Sequence, residues 1–593
     1  MTILTKPFET IGLLTKRNRR WGAALVAAGV MLPSAVLAEF QTNFPPVNSF
    51  AGSYLAARNA DQNRDLSAAA NYYSQALRRD PDDIVLREQT FLLLLADGRV
   101  DDAVEFAEDL LAEGISTHYV MAAIGADAIS EQRYSDAIDL LQNPQSGPLP
   151  ALTIGVMRAW ALAGDGQASE ALRAIDDLAT DPTSPTWFTP FTAYHAGLIA
   201  AYDGRLPLAR NYLSDAYSTE NGSVWYRVAT AYAEVLSLLG ERELALDVIQ
   251  DAVETFGDRA LLEDVRKRVE TDTVGVVTAA NPESGSAEIF YNTGLAVRRD
   301  TTDQLSLIYL RLALHMNPDL HIAWLFLANY FEQNERFERV IDMADRIPDT
   351  SPLYPEAAVR VGYAKNALDR FDDAINHLNA IHEALPNNLQ VVTALGEVLR
   401  LRERYEEAGK IYSDGLAITS DDDQDRWRLY FLRGITYERT GRWPEAEADF
   451  RRSLALRPNV ASVLNYLGYS LVDRGMKYEE ALGMIEQAVE LRPQDGAIVD
   501  SLGWAYYKLG RYEDAVRELE RAVELEPNDA VINDHLGDAY WKVGRRLEAT
   551  FQWSHALDMD PEADLLVQIE QKLASGLIED ATDQADAGET TTD

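Results

Sequence analysis

The chain has 593 residues, of which 47% are hydrophobic and 25% charged, a composition typical of folded proteins. At ~150 residues per domain, this length corresponds to about four domains, or alternatively to one extended repeat array. The 95 acidic residues outnumber the 54 basic ones and give a net charge of −41, which disfavours DNA or RNA as a partner because phosphates would be repelled. There is no cysteine, which excludes disulfides, thiol catalysis, cysteine-bound metal clusters and a lipidated N-terminal cysteine.

Residues 1–38 have the three-part pattern of a secretory signal peptide. Basic residues precede an apolar stretch from Trp21 to Leu32, and a small-residue cleavage site ends at Ala38. The apolar stretch is shorter than the ~20 residues that span a bilayer, so the pattern favours a cleaved signal over its alternative, an uncleaved membrane anchor. We therefore expect an exported periplasmic protein without lipidation, followed by a linker over residues 39–49.

A repeat of 34 to 35 residues dominates the C-terminal part of the chain. Three residue types recur with this period: Gly434, Gly468, Gly503 and Gly537; Ala446, Ala481, Ala515 and Ala549; and Pro458, Pro493, Pro527 and Pro561. One additional residue lies between Gly475 and Ala481, which are six positions apart where the other repeats have five.

The residue pattern of each repeat predicts two amphipathic helices joined by a tight turn. Gly510 stands where a left-handed residue ends a first helix, and Pro527 stops the second helix because proline cannot continue its hydrogen-bond ladder. Gly503 and Ala515 are small where the two helices cross, so their backbones can approach closely. This is the pattern of the tetratricopeptide repeat (TPR), and four consecutive copies make it specific.

Weaker copies extend the pattern upstream to about residue 50, which gives about fourteen units, six before residue 260 and eight after residue 287. We therefore predict an all-α fold, a right-handed superhelical solenoid of TPR helix-turn-helix repeats in two halves. The predicted divisions are a degenerate N-terminal array over 50–262, a linker over 263–286, a C-terminal array over 287–563, a capping helix over 564–577 and an acidic disordered tail over 578–593.

The linker prediction depends on residues 271–287 (TDTVGVVTAANPESGSA), which combine β-branched residues with a proline and two glycines. Such a stretch is not expected to be a regular helix throughout. The alternative is an extended strand that lies inside a concave groove of the solenoid.

No catalytic motif is recognisable, whether a phosphate-binding glycine loop, a nucleophile elbow or a His-Glu-x-x-His zinc motif. The eight histidines are scattered without the spacing of a metal site. We therefore expect no catalytic residue, no metal and no cofactor, and an enzyme of unrecognised type is the alternative.

The first helix of each TPR unit lines the concave side of a solenoid, and its residues outside the repeat core face a groove. Trp504, Tyr507 and Trp541 are large aromatics that the repeat core does not need, which is typical of binding anchors. The alternative is that they pack between neighbouring repeats. The predicted partner-binding groove consists of Asn465, Tyr466, Tyr469, Asp473, Asp500, Ser501, Trp504, Tyr507, Lys508, Asp534, His535, Asp538, Trp541 and Lys542.

The segment from Leu464 to Leu557, with its elements LGY, DSLGW and HLGDAYW, resembles a family of long, exported TPR proteins of Gram-negative bacteria. That family includes an outer-membrane lipoprotein that tethers and activates a periplasmic carboxy-terminal-processing protease and delivers cell-wall hydrolases to it. The present sequence differs in having no lipidation cysteine. The resemblance implies an adaptor for such a protease.

We therefore expect a non-enzymatic periplasmic scaffold that binds partner proteins through the TPR groove, with a protease adaptor as its specific form. No nucleic-acid partner and no stable transmembrane segment after signal cleavage are expected. An assembly factor of envelope, polysaccharide or outer-membrane export machinery is the alternative in the same compartment.

Overall fold

The computed structural model describes residues 49–142, 147–182, 184–218, 225–257, 259–275, 278–297, 303–420, 423 and 426–577. Within these residues the regular secondary structure is entirely helical and comprises 30 α-helices. The predictions for the signal peptide, for the linker up to residue 48 and for the tail from residue 578 lie outside the described residues.

The helices before residue 271 are α1 (Phe50–Gln62), α2 (Leu66–Leu77), α3 (Ile84–Asp97), α4 (Val100–Ala112), α5 (His118–Ser130), α6 (Tyr134–Leu140), α7 (Pro148–Gly164), α8 (Ala168–Thr180), α9 (Phe188–Tyr202), α10 (Leu206–Tyr217), α11 (Trp225–Leu238), α12 (Arg242–Phe256) and α13 (Ala260–Glu270). The following helices up to residue 418 are α14 (Pro282–Val297), α15 (Asp303–Met316), α16 (His321–Gln333), α17 (Phe337–Ala344), α18 (Tyr354–Ala367), α19 (Phe371–Ala384), α20 (Leu389–Leu401) and α21 (Tyr405–Ile418). The remaining helices are α22 (Arg426–Arg439), α23 (Trp443–Leu456), α24 (Ala461–Asp473), α25 (Tyr478–Leu491), α26 (Gly496–Lys508), α27 (Tyr512–Leu525), α28 (Ala530–Lys542), α29 (Arg546–Leu557) and α30 (Ala563–Ser575).

Consecutive helices pack in pairs, and the described residues contain fourteen such pairs. Six pairs run from α1/α2 to α11/α12, and eight run from α14/α15 to α28/α29, with α13 and α30 as single helices. The predicted all-helical repeat fold and its number of units are therefore confirmed. The pair α1/α2 belongs to one compact unit that ends at Asp80, and the chain from Pro81 onward forms another.

Small residues allow the helices of a pair to approach, as the sequence indicated. A β-carbon added to Gly503 would lie 2.5 Å from the Leu519 side chain, and one added to Gly468 would lie 2.9 Å from the Ala481 backbone oxygen. Such distances are too short for real carbon atoms. Close packing of this kind continues through one hydrophobic core from Ile435 to Ile569.

The turns between paired helices use left-handed backbone conformations. Gly510, two residues after the end of α26, has a φ of 73°, and Gly475, two residues after the end of α24, has a φ of 69°. The additional residue of that repeat lies in its turn, where Lys477 has a φ of 49° before α25 begins. The insertion therefore leaves the two flanking helices intact.

Helix occupies both ends of the stretch 263–286, for which the sequence predicted a linker. Helix α13 continues to Glu270 and α14 begins at Pro282, so residues 271–281 separate them. Asn281 caps α14 by accepting a hydrogen bond from the Ser284 N–H at 2.8 Å, and Pro282 lies in the first turn, where its missing N–H needs no partner. The alternative of an extended strand is wrong for the residues of α14.

Helix α14 packs across the first helices of the preceding pairs. It contacts α5, α7 and α9, while its partner α15 contacts α3, α4 and α5. The side chains of α14 are buried on several sides, and Glu288 and Ile289 are both fully enclosed. The pair α14/α15 therefore covers the first-helix face of the pairs from α3/α4 to α9/α10.

Candidate functional site

The fourteen predicted groove residues lie on α24, α26 and α28, the first helices of the last three pairs. Asp473 and Lys508 are exposed. The partly buried members are Asn465, Tyr466, Tyr469, Trp504, Tyr507, Trp541 and Lys542, and the buried members are Asp500, Ser501, Asp534, His535 and Asp538.

Trp504 is the centre of an aromatic stack that joins two repeats. Its ring centroid lies 4.7 Å from that of Tyr507 with an interplanar angle of 7°, and 4.0 Å from that of His535 with an angle of 15°. The ammonium group of Lys508 lies 5.3 Å from the centroid of the indole. The stack holds the indole in a fixed orientation on α26.

A carboxylate fixes the histidine of this stack. The Nδ1 atom of His535 lies 2.9 Å from an oxygen of Asp500, which is on the preceding first helix. Burial opposes protonation of His535, but the negative charges of Asp500, Asp534 and Asp538 outweigh it and raise the pKa of His535. Asp500 also acts on Tyr469, because burial first and then the charges of Asp500 and Asp473 raise the pKa of Tyr469 to about 12.

The carboxylates of α28, the first helix of the last pair, are bound by other groups within the protein. Lys572 of α30 donates to Asp534 at 2.7 Å and to Asp538 at 2.8 Å. Asp538 also accepts a hydrogen bond from the indole N–H of Trp553 at 2.9 Å. Burial and the neighbouring Asp534 raise the pKa of Asp538 to about 6, although Lys572 lowers it. Asp534 and Asp538 are thus already bound by α29 and α30.

Two of the predicted aromatics also make internal packing contacts. Trp541 lies 5.3 Å from Trp553 between ring centroids, and a β-carbon added to Gly576 would overlap its indole. Tyr466 packs on Phe450 with a centroid distance of 5.3 Å. Trp541 thus packs within its own helix pair and against the residues after α30, and Tyr466 packs on the preceding pair.

Six of the residues that keep accessible surface lie on α24 and α26 around Trp504, and we call them the Trp504 surface: Asn465, Tyr469, Asp473, Trp504, Tyr507 and Lys508. Two polar atoms of this set are enclosed and have no hydrogen-bond partner among the described residues, namely the Trp504 Nε1 and the Asn465 Oδ1. Asp473 and Lys508 place one negative and one positive charge at its exposed edges. The set offers apolar contact area together with hydrogen-bonding groups of both kinds.

The sequence missed a polar cluster around α14. Glu288 forms an ion pair with Arg227 of α11 and accepts a hydrogen bond from the Tyr194 hydroxyl at 3.1 Å. The hydroxyls of Tyr226 and Tyr291 lie 2.9 Å apart in the same region. The partners are separated by 61 to 94 residues in sequence, so no local pattern could have indicated them.

Buried acids elsewhere are engaged in ion pairs. A cavity of about 190 Å³ between α11, α13 and the loops before α16 and α18 contains Glu234, Asp264 and Arg268. Arg268 lies 3.1 Å from Glu234 and 3.0 Å from Asp264, and the Thr278 hydroxyl donates to Glu234 at 2.9 Å. Burial raises the pKa of Glu234, although Arg268 and Thr278 oppose this. The arrangement resembles a salt-bridged network more than an acid/base pair.

The described residues bring together no group of three His, Asp or Glu side chains that could hold a metal ion. Across the same part of the chain, no helix combines the length and the apolar character needed to cross a membrane.

Family models for the tetratricopeptide repeat match residues 388–459 and 431–496, and a TPR repeat model matches residues 503–544. Among curated relatives, a TPR repeat-containing protein of Pseudomonas aeruginosa is 32% identical over 143 residues, which are 24% of each chain. A lipoprotein NlpI homolog of Haemophilus influenzae is 34% identical over 100 residues, which are 17% of this chain and 31% of that protein. The chain thus matches only about a quarter to a third of the length of these relatives.

Solved structures with similar helical arrays include the Cut9–Hcn1 hetero-tetramer of the APC/C, with a TM-score of 0.37 and 14% identity over 90% of this chain and 97% of the other. They also include YrrB, described as a TPR protein with an unusual peptide-binding site, with a TM-score of 0.26 and 20% identity over 33% of this chain and 97% of the other. The matched models show tetratricopeptide repeats over residues 388–496 and 503–544, and the helices described outside these ranges are arranged in the same kind of pairs.

Proposed function

We propose that this chain is a periplasmic scaffold that binds a partner protein through the Trp504 surface. The observation that carries the proposal is the indole of Trp504, which stays partly accessible while the stack with Tyr507 and His535 holds its orientation. An apolar side chain of the partner can pack against the accessible part of this ring. The first-helix face of the pairs from α3/α4 to α9/α10 offers no comparable area, because α14 and α15 cover it.

The ligand is an extended or helical segment of the partner. Tyr469 and Trp504 supply the apolar contact, and the exposed Asp473 and Lys508 lie at the edges of the surface, where they select charged ends of the segment. Asp500 is less available, because His535 already occupies it at 2.9 Å.

The specific form of the proposal is an adaptor that brings substrates such as cell-wall hydrolases to a carboxy-terminal-processing protease. It is supported by the resemblance of the DSLGW and HLGDAYW elements to exported TPR adaptors. The chain is also similar to the Haemophilus protein named as a lipoprotein NlpI homolog, over 31% of that protein. Export rests on the signal-peptide pattern of residues 1–38.

Affinity capture from a periplasmic extract, followed by mass spectrometry, tests this proposal. The full chain is compared with the Trp504→Ala and Tyr469→Ala variants, and with Phe551→Ala as a matched control, since Phe551 is 65% exposed on α29. We expect a protease and a wall hydrolase to be retained by the wild type and by Phe551→Ala but lost from the other two variants. Capture of export-machinery components instead would favour the assembly factor, and retention of every partner by Trp504→Ala would contradict the proposed surface.

The variants must also be shown to fold, because Trp504 contacts His535. Hydrogen exchange of α26 and α28 provides this control. If the partner is lost while exchange in both helices stays as in the wild type, the loss is due to the binding surface. If the amides of α28 exchange faster than in the wild type along the whole helix, Trp504 is a packing residue.

A further inference from the structure

Helix α14 is held like a bound ligand helix by the side chains of four first helices. It contacts α5, α7 and α9, and it pairs with α11 through the ion pair of Glu288 with Arg227. Glu288 is completely enclosed, with an exposed fraction of 0%. The four first helices thus hold a helix in a groove, and this helix belongs to the same chain.

Shape complementarity fixes the register of α14. A β-carbon added to Gly285 would overlap the indole of Trp160 on α7, so only glycine fits at this point. One turn further along, Glu288 accepts hydrogen bonds from Arg227 and from the Tyr194 hydroxyl. The next turn brings Tyr291 to the hydroxyl of Tyr226 at 2.9 Å. The recognised features are therefore a glycine, a glutamate three positions later and a tyrosine three positions after that.

Several buried polar groups lie on α14 and on α9, which α14 contacts. Among the described residues, both amide atoms of Asn292, the hydroxyl of Ser286 and the Nε2 of His195 have no hydrogen-bond partner. Asn292 is 2% exposed, and Ser286 and His195 are 0% exposed. Each unsatisfied buried group opposes the seated state by about 1–3 kcal/mol, and the desolvation of a buried ion pair offsets much of its attraction. The contacts thus specify the position of α14 more than they stabilise it.

We propose that the first-helix face of α5 to α11 is a second partner-binding site, with α14 as its resident ligand. The partner is a protein helix with the same order of glycine, glutamate and tyrosine, and it displaces α14 when it binds. The site is separate from the Trp504 surface, and this proposal does not depend on the function proposed for that surface.

Hydrogen exchange of the unmodified full chain is the first test. If α14 leaves its position reversibly, its amides exchange as a group and faster than those of α7, which is buried in the same region. The proposal is overturned if the amides of α14 are as strongly protected as those of α7, because α14 is then part of the permanent core.

Binding of a labelled peptide with the sequence of residues 282–297 is the second test, measured by fluorescence anisotropy. The Gly285→Leu variant cannot seat its own helix and should bind this peptide about tenfold more tightly than the wild type, in which the resident helix competes. Gly483→Leu is the matched control, since a β-carbon there meets no described atom within 4 Å. A peptide with Glu288→Ala should bind more weakly. Equal binding of both peptides, or no binding to the Gly285→Leu variant while its other helices retain their protection, contradicts the proposal.

An engineered, reversible disulfide is the third test. It forms at one chosen place, because the natural chain has no cysteine. The hydroxyls of Thr153 on α7 and Thr293 on α14 lie 3.3 Å apart, so Thr153→Cys with Thr293→Cys can join the two helices. The oxidised form should slow exchange in α14, and reduction should restore it. Unchanged exchange in α14 after oxidation would show that the helix does not leave its position.

Discussion

The indole of Trp504 and the imidazole of His535 stack with their centroids 4.0 Å apart, across the boundary between two helix pairs. The contact depends on charge as well as on shape, because Asp500 holds the same imidazole at 2.9 Å from its Nδ1. A side chain expected to face a partner is thereby also part of the junction between repeats. The accessible face of Trp504 and its junction face have to be tested separately.

Replacing Asp500 with asparagine should lower the pKa of His535, because the carboxylate is the main group that favours the imidazolium there. A histidine whose folded pKa is raised contributes stability that is fully present below its unfolded pKa and is lost as the pH rises through the folded value. The Asp500→Asn variant should therefore lose more stability at pH 5 than at pH 9. An NMR titration of His535 checks the pKa, and Ser501→Ala, on the same helix, is the control. An unchanged pKa in Asp500→Asn would refute the ion pair.

Replacing Lys572 with methionine should release α30 from α28. Removing one partner of a buried ion pair costs about 3–5 kcal/mol, and here two carboxylates, those of Asp534 and Asp538, lose their cation. The raised pKa of Asp538 means that the folded state binds the extra proton between about pH 4 and pH 6, so stability falls as the pH rises through this window. The variant should therefore be more damaged at pH 8 than at pH 5. Hydrogen exchange of α30 measures the loss, and equal damage at both pH values would be inconsistent with the assigned charges.

His195 should make the protein less stable in acid. Its Nδ1 accepts the Trp160 indole N–H at 3.1 Å, and burial lowers its pKa to about 3 from 6.5. Between these values the unfolded chain binds a proton that the folded chain does not, so stability falls by up to about 1.4 kcal/mol per pH unit as the pH decreases. His195→Asn keeps an acceptor for Trp160 but cannot titrate. Denaturant unfolding of the region of α7 and α9 at several pH values should show a shallower pH dependence in the variant, and parallel curves would exclude His195 as the titrating group.

The ion pair of Arg227 and Glu288 should contribute more to the position of α14 than to overall stability. Arg227→Met alone should destabilise by about 3–5 kcal/mol, since the enclosed Glu288 loses its cation. The double variant Arg227→Met with Glu288→Leu should recover most of this loss, because neither charge is then buried alone. Denaturant melts of the two single variants and the double variant give the coupling energy. Additive losses in the double variant would contradict the interaction.

Two glycines in adjacent helices should respond oppositely to alanine. Gly468→Ala should destabilise by about 1–3 kcal/mol, because the new β-carbon meets the Ala481 backbone oxygen, which cannot move without shifting α25. Gly483→Ala should stabilise by about 0.5–1 kcal/mol, since the described structure leaves open space at that point and alanine favours helix. Thermal denaturation of both variants checks the difference in sign, and a loss of stability in both would show that the crossing distance is not the cause.

The repeat period predicted most of the fold, because the determinants of a helix pair lie within one unit. Gly503 and Ala515 are twelve residues apart, and the turn at Gly510 lies between them. Each of these residues acts on its immediate surroundings, so its spacing alone indicates where helices begin, cross and end. The prediction was less successful over residues 263–286, where Pro282 begins a helix that sequence reasoning had treated as part of a linker.

The predicted groove includes carboxylates that are already bound within the protein. The fourteen residues all lie on the first helices α24, α26 and α28, but their spacing did not distinguish accessible carboxylates from those already bound. Asp534 and Asp538 are held by Lys572, which lies 38 and 34 residues further along the chain. The capping helix was expected, but its lysine was not recognised as a partner for these positions.

The sequence by itself determined the helices, their pairing and the number of repeats, since these follow from contacts between residues close together along the chain. The tertiary structure alone decided which first-helix faces are covered. Glu288 and Arg227 are 61 residues apart in sequence, and neither lies in a pattern that indicates the other. Their meeting depends on how successive repeats turn relative to one another, a small rotation at each repeat that accumulates over many packed side chains.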